Sequence, residues 1–366
     1  MKFNFDGQQV LVTGATGNLG SQIVFELHKA GYRPVVHVRE SSDTRFIDSL
    51  GLEKRIADIR QTEKLDSVVA GIDVVIHTIG WPNFRQDRLT QFTGINAMGA
   101  VQMLAAAQKA GVKRFLHVST VAAIGARKRT PNGRPVDPYA LLDENAEFNL
   151  GHLHIPYIMT KHAAEKELWA QAEKGKTELV MVNPSIILAP SRSGDNRSKA
   201  VTRFSYPVLP ELHNQINFVD IRDVAPAVIK AAESGRAGER YILAGDDISG
   251  RELVLTASAL LGKTPHLLRI PRWIINIAAR LTLYWSKLAG KSKVSFYPDV
   301  VKLLDYDWVY SSRKAREELG YQHRSLVATL SDLLSNHFYG TWLQPTANNG
   351  TAKRTSSPEE KVQSPS

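Results

Sequence analysis

"VTGATGNLG" (12–20) sets Gly14, Gly17 and Gly20 between a β-branched run and a helical pattern. Upstream, "QVLVTG" (9–14) reads as a strand. Downstream, "LGSQIVFELHKAG" (19–31) carries Ile23, Val24 and Leu27 at helical spacing before a glycine stop. A strand ending in a tight turn, a backbone approaching a pyrophosphate and a helix N-terminus aimed at an anion need glycine at these places. Gly14 serves the turn, Gly17 the close approach and Gly20 the packing of helix on strand. Thr16, Asn18 and Leu19, in the same turn, are expected beside the dinucleotide. A plain glycine loop is the blander reading, but it would not need this strand and this helix around it.

Outward from the turn, short apolar runs alternate with helical patterns. "PVVHV" (34–38), "KRIADI" (54–59), "DVVIHTI" (73–79) and "RFLHVST" (114–120) read as strands, with helices near 62–70 and 96–111. The strands are continuous apolar runs, so both faces should be covered, the mark of a parallel sheet between helices. "ELVMVNPS" (178–185), "INFVDIRDVAPAVIKAAE" (216–233) and "GERYILAG" (238–245) extend the pattern, which turns mostly helical from about 250. The expected fold is α/β: a doubly wound parallel Rossmann sheet with a smaller, mostly helical C-terminal substrate-binding part. The dinucleotide domain is assigned to 1–183 plus about 214–243, and the substrate part to about 184–213 and 244–340. The tail 345–366, rich in Pro, Ser, Thr and charge, has almost nothing to bury and is expected to be disordered.

A chain of 366 residues with 43% hydrophobic composition can build a large core. Cysteine is absent, which excludes disulfides and thiolate zinc sites, and no histidine spacing suggests another metal. The start lacks a secretory pattern, so a cytoplasmic location is the expectation. The formal charge of +10 lacks the aromatic-interleaved basic stripe of a single-strand binder. No nucleic-acid partner is therefore expected, whereas a weak attraction to acidic substrates or membrane surfaces stays open. Within 273–289, Trp273, Ile274, Ile277 and Leu281 share one face, while Arg272, Asn276 and Arg280 line another. An amphipathic helix packed on its own domain is the expectation, and weak peripheral contact with lipid the second reading.

Cofactor choice is read at the end of the second strand. There "VVHVRE" puts Arg39 where an NAD site usually has an acid, and a guanidinium suits a ribose 2′-phosphate. Arg45 is a second candidate cation, while Glu40, turned inward, would serve NAD. NADP(H) is favoured, with NAD(H) as the other reading. Asp58, in "ADIR", is placed to accept from the adenine amino group.

Taken together, "VTGATGNLG", "ADI", "NAMGA", "GVKRFLHVST", "YIMTK", "FVDIRDVA" and "GERYILAG" resemble the extended short-chain dehydrogenases, the NAD-dependent epimerase/dehydratase family. The resemblance covers about residues 8–338, and the glycine turn has that family's GxxGxxG spacing. "VRE", "YIMTKHAAEKELW" and "DWVYSSRKAREELGY" (307–321) look most like the dihydroflavonol 4-reductase branch and its ketone- and aldehyde-reductase relatives. By matching motif, the resemblance implies that Thr120 contacts the substrate oxygen, with Ser119 its paired hydroxyl. It implies that Tyr157 and Lys161 are the catalytic pair of YxxxK and that Asn96 is the asparagine supporting a water relay. Ile59, Thr78, Ile79 and Pro184 fall among the cofactor contacts. Two departures stand out: threonine replaces the usual serine at 120, and "TVAAIG" lacks the Asp-Glu pair that sugar dehydratases need.

The chemistry expected is hydride transfer between nicotinamide and a ketone, aldehyde or secondary alcohol, with Tyr157 the general acid or base. The i,i+4 spacing sets Lys161 on the face of Tyr157. A cation about 4 Å from a phenol is worth on the order of 4 kcal/mol at an effective dielectric of 20, enough to bring a pKa of about 10 toward neutrality. His77 and His117 read as core or cofactor lining, and for His152 and His154, in the loop before Tyr157, contact with substrate is the second reading after a bland one. An NAD-dependent nucleotide-sugar epimerase is the alternative enzyme, and a dinucleotide-binding sensor or scaffold the alternative outside enzymes. The apolar "WIINIAARL" region leans toward an apolar or lipid-like substrate. A monomer and a homodimer are both compatible with this branch.

Overall fold

The computed structural model describes residues 3–81, 92–130, 140–189, 204, 206–288 and 298–335. The tail expected to be disordered, 345–366, lies outside them. The strands are β1 (Val10–Thr13), β2 (Val35–Val38), β3 (Lys54–Ile56), β4 (Val74–His77), β5 (Arg114–Val118), β6 (Arg127–Lys128) and β7 (Glu178–Pro184). They continue with β8 (Ile186–Leu188), β9 (Val208–Pro210), β10 (Gln215–Asp220), β11 (Glu239–Leu243), β12 (Asp246–Ser249), β13 (His266–Leu268) and β14 (Tyr306–Asp307). The helices are α1 (Asn18–Lys29), α2 (Arg45–Ser49), α3 (Thr62–Val69), α4 (Gly99–Lys109) and α5 (Pro156–Ala172). After these come α6 (Ile221–Ser234), α7 (Gly250–Leu260), α8 (Arg272–Leu288), α9 (Pro298–Leu303), α10 (Arg313–Leu319) and α11 (Leu326–Ser335).

Seven strands form one parallel sheet in the order β11-β7-β5-β4-β1-β2-β3. The reversal of direction falls between β1 and β4, where open α/β sheets leave a crevice at the carboxyl ends of the strands. Because successive strand residues alternate faces, one run of valines feeds two cores. Val12, Val36, Ile76, Leu116 and Val180 pack with Ile23 and Leu27 of α1 and Val224 and Val228 of α6. Leu11, Val75, Phe115 and Leu179 pack with Leu65 of α3, Met103 and Leu104 of α4 and Leu168 of α5.

A second, three-stranded sheet runs β12-β10-β8, and two-stranded pairs join β13 to β9 and β14 to β6. The strand read at 216–220 forms here, in the second sheet, while the helix after it covers the seven-stranded one. The join is α6's N-cap. Buried Asp220 accepts from the amide of Arg222 (2.8 Å), pairs with its guanidinium (2.6 Å) and accepts from Thr329 Oγ1 of α11 (2.9 Å).

One expectation is overturned. Helix α8 forms, but the face bearing Trp273, Ile274, Ile277 and Leu281 does not pack on the domain. The inward residues are Ala279, which is buried, with Arg272, Ile275 and Thr282 half-buried, and the apolar stripe looks outward. Small Ala279 and the bond from Arg272 to the carbonyl of Val301 let α8 settle on α9 by its narrower side. Among the described residues no helix is long and apolar enough to cross a membrane.

Candidate active site

At the end of β1 the chain turns through Gly14, whose φ of +67° is the left-handed conformation that favours glycine. The amide of Gly17 donates to the carbonyl of Gly14 (2.9 Å) and opens α1. A side chain at Gly20 would place Cβ 2.2 Å from that same carbonyl oxygen, and one at Gly14 would meet Thr78 Oγ1 at 2.7 Å. Thr78 Oγ1 in turn donates to the carbonyl of Thr13 (2.6 Å) and pins β4 to the turn. These glycines therefore admit a backbone approach that no other residue allows, as a pyrophosphate seat requires.

The turn walls a cavity of about 540 Å³ that includes Gly14, Thr16, Gly17, Arg39, Asp58, Ile59, Thr78 and Ile79. Asn18 and Leu19 are not in its wall; Leu19 instead packs on the core beside Ile187. Arg45 is not there either: it is 91% exposed and paired with Asp43 at 2.7 Å, drawn off by the acid two residues before it. Glu40 is exposed and outside the wall. Among the wall residues that the expected cofactor contacts did not include are Ser42, Arg60 and Trp81. Ser42 Oγ accepts from the amide of Arg39 (3.1 Å), and Arg60 pairs with Asp58 at 2.7 Å. The hydrogen bond from Arg60 holds the Asp58 carboxyl down at about 2. Local chemistry in "RESS" and "DIR" could have pointed to Ser42 and Arg60; Trp81 had no signal.

A second cavity, about 520 Å³, meets the first at Thr78 and Gly80. Ser119, Thr120, Tyr157, Lys161 and Pro184 line it, so the structure gathers three of the four expected catalytic side chains at one place and leaves Asn96 out of the wall. Helix α5 begins with Pro156 at its first turn, which suits a fixed φ and a missing donor, and this sets Tyr157 at the helix entrance. Its phenol is hydrogen-bonded to Thr120, which follows β5 and caps the short turn Val121–Ala123.

Lys161 does not do what its spacing suggests. Its buried ammonium donates to the carbonyl of Val118 (2.8 Å) and meets His117 Nε2 at 3.3 Å. Burial pulls its pKa down to about 8. Burial likewise pushes the Tyr157 phenol up, and the bond to Thr120 opposes that push. The expected acidification of Tyr157 by Lys161 is therefore not seen: the chain end of β5 supplies acceptors that hold the ammonium first.

His117 belongs to a buried row. Register aligns His37, Thr13, His77 and His117 across β2, β1, β4 and β5. Thr13 Oγ1 lies 2.9 Å from His77 Nδ1, and the His77 and His117 rings stack at 5.5 Å. Burial lowers both, His77 to about 3 and His117 well below its ordinary value, with Lys161 adding to the effect. A neutral His117 can accept from Lys161 only through an unprotonated Nε2.

Asn96 lies buried in a π-helical turn, Thr93–Met98, ahead of α4. Its Oδ1 accepts from the amide of Trp81 (2.8 Å) and its Nδ2 reaches Thr160 Oγ1 at 3.4 Å. It thus braces the loop after β4 against α5. His152 bonds to Tyr306 Oη (2.8 Å), and neither it nor His154 lines the cavity.

The cavity also shows what one chain read in order could not assemble: Ile186, Ile216, Leu303, Leu304 and Trp308 make its wall apolar. Ser119 and Ser185 line it too, and their buried Oγ atoms find no partner among the described residues. Among the described residues no group of three potential ligands could hold a metal.

A model of the NAD dependent epimerase/dehydratase family matches residues 10–244. "Sterol demethylase protein B" of Methylococcus capsulatus is 25% identical over 334 residues, 89% of this chain and 97% of its own. A Synechocystis protein provisionally named a dihydroflavonol 4-reductase is 29% identical over 342 residues, 90% of this chain and 95% of its own. Among solved structures, gox2253 superposes with a TM-score of 0.74 at 25% identity, covering 92% of this chain and 100% of that one.

Proposed function

From the premise that the chain belongs to the NAD dependent epimerase/dehydratase family, we propose that it is an NADP(H)-dependent reductase of an apolar ketone or aldehyde, run backwards as an alcohol dehydrogenase. One observation carries the proposal: Tyr157, hydrogen-bonded to Thr120, faces an apolar cavity that joins the cavity of the glycine turn at Thr78 and Gly80. The cofactor, when bound, supplies or accepts the hydride. The chain's part is to seat it on the glycine turn, hold the carbonyl at Tyr157 and Thr120, and move one proton.

Because burial raises its pKa, Tyr157 is a protonated phenol at neutral pH, the form that gives a proton to a developing alkoxide. Thr120 steadies the same oxygen through its hydroxyl. Lys161, fixed by Val118 and His117, is available to a ribose hydroxyl beside the cavity. Arg39 and Arg60, in the wall of the first cavity with Ser42, suit a 2′-phosphate and support NADP(H) over NAD(H). Residues 184–187, with Leu303, Leu304 and Trp308, wall the second cavity and support a substrate part at about 184–213 and 244–340, whereas Asn214 and Ile216 of the same wall lie in the stretch assigned to the dinucleotide domain. The relative named for a sterol agrees with an apolar substrate.

The test is a panel of ketones, aldehydes and secondary alcohols followed by nicotinamide absorbance with each cofactor. Tyr157→Phe should lower kcat by roughly 10²–10⁴ while leaving dinucleotide binding in place. Full turnover in that variant would refute the assignment. The family name also covers epimerases, whose signature would be a dinucleotide retained through purification and no net turnover of added cofactor.

A further inference from the structure

We propose that α8 is a docking face for an anionic lipid bilayer, lying in the interface without crossing it. Trp273, Ile277, Leu281 and Trp285 recur every four residues and stand 64%, 49%, 53% and 65% exposed, with Ile274 and Tyr284 beside them at 40% and 59%. Six large apolar side chains on one exposed stripe far exceed the scattered apolar residues of an ordinary surface. Tyr284 and Trp285 at one end and Trp273 at the other are the residue types that settle where apolar and wet layers meet.

The occupant is named by charge. Between Glu252 and Asp299 the sequence holds no acid, yet it contains Lys263, Arg269, Arg272, Arg280, Lys287, Lys291 and Lys293, of which Arg269 pairs with Glu211 and Arg272 with Asp305. The nearest acids beyond the helix, Asp299 and Asp305, are already paired with Lys302 and Arg272. An apolar stripe inside a wholly basic stretch complements a surface that is apolar within and negative outside. The tail 345–366, polar and almost without apolar side chains, is a poor cover for it. By its opposite, inward side the helix neighbours the apolar cavity: Arg272 of α8 donates to the carbonyl of Val301 in α9, and Leu303 and Leu304 at the end of α9 wall that cavity. The inference stands on geometry and charge and does not depend on the reductase reading.

The experiment is vesicle flotation of the full chain with phosphatidylcholine alone and with added phosphatidylglycerol, at low and high salt. Binding to the anionic vesicles alone, reversed by salt, is expected. Leu281→Asp should weaken partition roughly tenfold or more. Lys263→Gln, Arg280→Gln and Lys287→Gln should each weaken it about fivefold. Leu281, Lys263 and Arg280 are outside the cavity walls, so for their variants circular dichroism and the dinucleotide-binding signal should be unchanged. Absence of flotation would overturn the proposal. So would a lipid-free dimer that Leu281→Asp splits, which would make a second copy the occupant. Tryptophan quenching that appears only after truncation beyond Ser335 would assign the face to the chain's own C-terminal segment, and would overturn it equally.

Discussion

Lys161 shows how far a spacing can be trusted. Four residues after Tyr157 it occupies the same helical face, and that much follows from 3.6 residues per turn. Where the ammonium goes was decided by acceptors from another strand, Val118 and His117. Its lowered pKa has a consequence for stability. Between about 8, its value in the fold, and the ordinary value of about 10.5, the unfolded chain binds the extra proton. Stability from this group therefore rises with pH across that window and is flat below it. Denaturant unfolding of Lys161→Met between pH 7 and 10.5 should lose this rise relative to the parent; an identical slope would refute the assignment. Glycine placement, by contrast, was legible residue by residue. Gly14, with its positive φ, and Gly20 are demanded by local sterics, and the 2.2 Å approach at Gly20 leaves no room for another side chain.

At the scale of elements, the N-cap of α6 joins two sheets that the sequence placed in one run. Asp220 satisfies the amide of Arg222, its guanidinium and the hydroxyl of Thr329, all from a buried position. Asp220→Ala removes the cap and leaves buried donors without an acceptor, a loss of about 3–5 kcal/mol. Thermal unfolding checks it, and a change below about 1 kcal/mol would show the cap to be dispensable. Helix α8 illustrates the limit of periodicity: the pattern gave a helix with an apolar stripe but could not say which side would face protein. The helix turned Ala279 inward because α9 packs against that side. Asn96 is similar, since its bond to Trp81 spans the segment between β4 and the π-helical turn, and no local pattern encodes it.

For the molecule as a whole, the two joined cavities make cofactor binding a stabilising event. A ligand at about 100 times its Kd stabilises the fold by about 2.7 kcal/mol. NADP(H) should therefore raise Tm measurably, and by more than the same concentration of NAD(H). Arg39→Ser with Arg60→Ser should narrow that gap. Equal shifts by the two cofactors in the parent would argue against a 2′-phosphate site. By itself the sequence determined the doubly wound parallel core, the glycine turn and the identity of the residues at the head of α5, because these follow from short-range sterics and from hydrophobic period. Only the tertiary structure decided that Arg60 rather than Arg45 joins Arg39 in the cavity wall, that the Lys161 ammonium bonds to Val118 and His117, and that α8 leaves its apolar face uncovered. Each of those outcomes depends on which distant groups arrive beside a side chain, and chain order alone does not carry that information.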